Sequence, residues 1–223
     1  MDQLPQALLF LGIIPALVLL FISLKGYDGY YKDKIVFITF IIGLIIGFIS
    51  ILIEYYTAGV YVFFIILFPL LEQLFKTIFL NLKRFHGKKE TSIYGLSLGL
   101  GFGSIYISSS LILLNIQGLS DNISTIITVL GSFGFILIHG ATGLLIGFGV
   151  YKYSLFKHLI YSIVLYLPVT VLFYVSTEIT NIGYLQLSIV PYGLILYWYM
   201  TTKLLPEILK ENEKRKRTKK PST

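Results

Sequence analysis

Glu72, Lys76 and His139 are the residues of this sequence placed where ordinary solvation is missing, because each interrupts a long apolar run. The first two lie in Leu70-Leu71-Glu72-Gln73-Leu74-Phe75-Lys76, four positions apart. That spacing puts them on one helix face, with the acid N-terminal to the base as a favourable pair requires. Charges in a bilayer interior are costly, so such residues turn towards the protein and towards one another. Pro69, just ahead of them, has no N–H to give the carbonyl of Ile65, so a bend before the charges is expected. His139 stands in Ile138-His139-Gly140-Ala141-Thr142-Gly143, and Gly143 and Gly147 follow it at four-residue steps on one face. Two kinds of chemistry fit this set. In one, Glu72, Gln73, Lys76 and His139 form a buried polar layer that satisfies its own charges and hydrogen bonds. In the other, Glu72 is a general base for a water, and His139 polarises that water or the oxyanion that follows.

Elements that could hold such residues in lipid are plentiful. The chain has 223 residues, of which 56% are hydrophobic and 13% charged, and its mean hydropathy is +0.81. Apolar runs of about 20 residues, enough to cross a hydrocarbon core of ~30 Å, cover 6–24, 35–53, 59–82, 92–116, 124–150, 159–177 and 185–205. The expected fold is therefore all-α and polytopic, a seven-helix transmembrane domain over 1–205 with a basic tail at 206–223 that is expected to be disordered. The first run reads as a span and not a cleavable signal, since Asp2 precedes it where a basic segment would stand. Cysteine is absent, which excludes a disulfide framework and thiolate chemistry. Neither a metal site nor a cofactor is expected.

Charge is distributed by side. Lys25, Lys32, Lys34, Lys83, Arg84, Lys88, Lys89, Lys152, Lys157 and the tail place 17 of the 18 Lys and Arg on one side of these spans. The remaining one is Lys76, while Asp2, Glu54, Asp121 and Glu178 fall opposite. The positive-inside rule then puts the amino terminus outside and the tail in the cytoplasm. The basic tail reads as a partner for anionic lipid and not for nucleic acid, because no aromatic or motif context accompanies it.

Other features concern packing. Gly95, Gly99 and Gly103 clear one helix face of side chains, the small-xxx-small pattern of close helix contact; the alternative is room for a substrate or water. Span 2 carries no polar chemistry and reads as a wall helix. Counted from the basic ends at 1.5 Å per residue, Glu72, Gly101, His139 and Pro168 all lie roughly 15–20 Å deep, which suggests one internal site. Asn122-Ile123-Ser124 is an N-glycosylation pattern on the expected outer side.

Glu72-Gln73-x-x-Lys76, Gly99-x-Gly101-Phe102 and His139-x-x-x-Gly143, in that order, resemble the motifs of the PrsW-type and CAAX-type intramembrane proteases. Those enzymes use a Glu-Glu pair, a later Glu or His, and a terminal His or Asn. Here Gln73 replaces the second Glu, Tyr106 and Ile107 stand where PrsW-type members have Glu-Asn, and the region of Pro168 has neither His nor Asn. The chain is more similar to a non-catalytic branch, the anterior-pharynx-defective subunit that scaffolds γ-secretase. The likeness rests on Gly95-Leu96-Ser97-x-Gly99, Leu70-Leu71 followed by Phe75-Lys76, and Leu137-x-His139 before a basic loop. That family carries Gln-Glu where this chain has Glu72-Gln73, and a second histidine in span 6. The resemblance implies a membrane scaffold whose partners are other membrane proteins, a presenilin-like aspartyl protease among them. Its alternative is a glutamate-dependent endopeptidase using Glu72 and His139. A transporter fits less well, since the spans show no repeat.

Overall fold

The computed structural model describes residues 8–57, 61–116, 122–176 and 183–218, and among them are seven α-helices. They are α1 (Leu8–Leu24), α2 (Asp33–Thr57), α3 (Tyr61–Leu80), α4 (Thr91–Ile116), α5 (Asn122–Tyr151), α6 (Leu155–Tyr174) and α7 (Ile189–Thr218). Short 3₁₀ helices at Lys83–Phe85 and Gly183–Ser188 complete the order, and no strand occurs among the described residues. Four of the helical stretches, 33–57, 91–112, 125–151 and 155–174, are long and apolar enough to cross a membrane. Asp2, Asp121 and Glu178 lie outside the described residues, as does most of the segment that leads into the Asn122 pattern.

The core is the antiparallel pair α4–α5. Their most apolar windows are 78% and 83% buried, against 33% for α2 and 22% for α6, so these two are enclosed and the others enclose them. A helix that lacks a polar face is a buried helix, and its neighbours can come close only where side chains are small. Gly95 lies against the backbone of Gly143 and Gly147, Gly99 against the His139 carbonyl, and Gly103 against Ile136. A Cβ at any of these positions would collide with main chain. Gly134 and Gly193 bring α5 and α7 together in the same way, and Gly12 seats α1 on Ser104.

Span 2 is largely exposed, as a wall helix is, but it is seated closely on α4. Gly43 and Gly47 bring α2 onto the carbonyls of Leu98 and Phe102, Gly101 of α4 meets the Phe40 carbonyl, and Ser97 Oγ donates to the Val36 carbonyl at 2.7 Å. α2 is thus the second glycine-packed partner of α4, with Thr39 and Ser50 buried. The cause is legible after the fact: Gly43-x-x-x-Gly47 repeats the four-residue step already noted in α4.

All the basic connections converge at one end of the bundle. The Lys32 backbone N–H donates to Tyr94 Oη at 3.2 Å, and Lys89 Nζ stands 5.0 Å from the Tyr30 ring centroid. His86 meets the Tyr153 ring edge-on, and Lys152 pairs with Glu207 at 3.5 Å. α7 runs on past the apolar stretch to Thr218.

Candidate functional site

α3 turns one face inward, and on it Glu72, Gln73 and Lys76 are each at most 1% exposed. Pro69 sits inside the helix, and the Ile65 carbonyl it would otherwise leave unpaired accepts from Thr170 Oγ1 of α6 at 3.2 Å. In α6, Pro168 withholds its N–H from the Val164 carbonyl, and one residue further along Tyr192 Oη of α7 donates to the Leu165 carbonyl at 2.7 Å. At Pro69 the freed backbone therefore ties α3 to α6, which is how such residues persist in apolar surroundings.

Glu72 and Lys76 do not form an ion pair; each reaches a different helix. Lys76 Nζ donates to Thr142 Oγ1 at 2.8 Å and lies 3.2 Å from His139 Nδ1, both on α5. His139 Nε2 lies 3.1 Å from Tyr166 Oη on α6. Glu72 Oε1 accepts from Tyr106 Oη on α4, and the hydroxyls of Tyr166 and Ser50 stand close enough to interact with the carboxylate. An ammonium only donates, so with Lys76 charged His139 Nδ1 accepts and Nε2 carries the ring proton. That proton goes to Tyr166 Oη. Lys76 thus leads through His139 to Tyr166 on α6, and Glu72 reaches Tyr106 on α4, instead of the two touching.

Aromatic rings close this relay. The His139 ring lies 4.6 Å from Phe102, 5.3 Å from Tyr106 in a stacked arrangement, and 4.9 Å from Tyr166, centroid to centroid. Lys76 Nζ is 5.3 Å from the Phe102 centroid, within range of its negative face. Glu54, assigned by charge counting to the acidic side, is near enough to Glu72 for their charges to interact. Both amide atoms of Gln73 and the Thr77 hydroxyl are buried without a hydrogen-bond partner.

The structure brings together Glu72, Lys76 and His139 of the expected polar layer, leaves Gln73 beside them unpartnered, and removes Gly101, which faces α2. Tyr106, Thr142 and Tyr166 were not anticipated. Thr142 carries a signal, since it lies one turn beyond His139 on the same helix. The tyrosines carry little, because 17 of them are spread along the chain and most mark membrane interfaces. Compared with known proteins, the chain matches no family model, and neither a curated protein nor a solved structure is similar to it.

Proposed function

We propose that this chain is a non-catalytic, multi-pass membrane scaffold. Its seven helices cross the bilayer with the amino terminus outside and the basic tail in the cytoplasm, and they hold a partner membrane protein through glycine-lined faces. The observation that carries this reading is the state of the would-be catalytic groups. Glu72 and His139 are at most 1% exposed, and both ring nitrogens of His139 are already engaged by Lys76 and Tyr166. A hydrolase needs its base within reach of a water and a scissile bond, whereas this base is capped by Tyr106. The resemblance to the γ-secretase scaffold suggests a presenilin-like aspartyl protease as the partner.

One observation favours the alternative, a glutamate-dependent intramembrane protease. The second oxygen of Glu72 has no hydrogen bond, and a further carboxylate, Glu54, stands near it. Four proteins separate the readings: wild type, Glu72→Gln, Lys76→Met and the double variant. In a scaffold each single change leaves one buried charge uncompensated, at a cost of about 3–5 kcal/mol. The double change recovers much of that loss, and recovery of a partner from mild detergent, identified by mass spectrometry, follows stability. An isolated wild-type protein that cleaves a helical substrate, with Glu72→Gln stable but inactive, overturns the scaffold.

A further inference from the structure

A groove of about 300 Å³ runs between α2 and α3, lined by Ile46, Ile49, Phe75, Ile78, Phe79 and Leu82. It lies on the side of α3 turned away from Gln73 and Thr77, and Ile49, Ile78 and Leu82 are exposed along it. Its wall from Phe75 in α3 to Leu82 just past the end of that helix is about 10 Å long at ~1.5 Å per residue, and every lining side chain is apolar. At the end marked by Leu82 the chain continues directly into Lys83 and Arg84, both exposed. The Arg84 guanidinium is held 5.6 Å from the ring centroid of Phe79, a groove residue, and 4.6 Å from that of Phe85. Neither Lys83 nor Arg84 forms an ion pair with an acid among the described residues.

An apolar channel that ends under a fixed, uncompensated cation calls for a ligand with the opposite two ends. We infer that this groove binds one anionic phospholipid, its acyl chain between α2 and α3 and its phosphate on Arg84 and Lys83. The inference rests on the membrane-embedded reading given above, though not on the scaffold role. A free phosphate would leave the apolar walls unfilled. A partner helix, ~10–12 Å across with its side chains, could lend the groove only single side chains and brings no anion to Arg84. A zwitterionic lipid would fill the groove but place a cation beside the guanidinium.

The basic tail also attracts anionic headgroups, so the test must separate groove from tail. The full chain is purified in mild detergent, supplied with dioleoylphosphatidylglycerol or dioleoylphosphatidylcholine, and scored by native mass spectrometry and by melting temperature. One equivalent of the phosphatidylglycerol is expected to stay bound and raise the melting temperature, while the phosphatidylcholine does neither. Arg84→Gln, which leaves the tail and groove intact, should weaken retention at least about tenfold, the loss of a charge-assisted phosphate contact. Ile46→Trp, which fills the groove and leaves every charge in place, should do the same. Equal retention of the two lipids overturns the proposal. So does unchanged phosphatidylglycerol binding in Arg84→Gln, which would assign the lipid to the tail alone. Should Ile46→Trp not fold, the exposed Arg84 variant decides the matter. The membrane reading itself fails separately, in the labelling assay described below.

Discussion

Gln73 is the residue whose side chain the fold leaves least provided for. It is completely buried, neither amide atom is bonded, and its neighbour Glu72 takes the hydrogen bond from Tyr106. A buried polar group without a partner costs about 1–3 kcal/mol, and replacing it with an apolar group of similar shape removes that cost. Gln73→Met is therefore expected to leave the protein as stable as before or to raise its melting temperature by calorimetry or dye binding. A loss comparable with that of Lys76→Met would mean that the amide has a partner. The order Glu72-Gln73 thereby gains a physical meaning. Exchanging the two would aim the carboxylate where no described donor stands and give the Tyr106 hydroxyl an amide. The presence of a buried polar layer was legible from Glu72, Lys76 and His139, because ionisable groups in apolar runs must turn inward. Its wiring was not. A four-residue spacing says that Glu72 and Lys76 can meet, but it cannot say that Thr142, His139 and Tyr106 on other helices offer each a better contact.

Among the elements, α4 owes its central place to absent side chains. Gly95, Gly99 and Gly103 meet α5, while Gly101 and the Gly43–Gly47 step meet α2, so opposite sides of one helix approach main chain. The three-glycine face of α4 could be read in the sequence from its spacing. The matching pair in α2 was passed over because nothing polar accompanied it. Gly99→Ala should lower thermal stability, since its methyl group would meet the His139 carbonyl. Gly131→Ala is the informative control, for the nearest atom there is a Gln186 side-chain carbon at 3.3 Å. With about 1 kcal/mol of helix propensity in favour of alanine, Gly131→Ala should be neutral or mildly stabilising. Similar melting temperatures for the two variants would remove close backbone contact as the organising force. Gly26, by contrast, has open space around it but φ +88°, so backbone strain and not packing resists a side chain there.

For the whole molecule, convergence of the loops at 25–32, 83–90 and 152–154 on one end gives the charge asymmetry a physical location. The absence of cysteine allows a direct assay of which side that end faces. Tyr56→Cys and Tyr184→Cys, at exposed positions on the opposite end, should react with an impermeant thiol reagent added outside. Lys88→Cys and Lys157→Cys, also exposed, should react only after the membrane is opened. Labelling of Lys88→Cys in sealed cells would reverse the orientation, and equal labelling of all four would argue against embedding. The relay also imposes an order in time on how the protein is made. Lys76 leaves the ribosome 63 residues ahead of His139 and 66 ahead of Thr142. At roughly 5–20 residues per second, that is an interval of about 3–13 s. Through that interval Lys76 waits for His139 and Thr142, whereas Tyr106, the partner of Glu72, follows Glu72 by only 34 residues. Until α5 is made, the base of α3 has only Glu72, four residues away on the same face, to offset its charge.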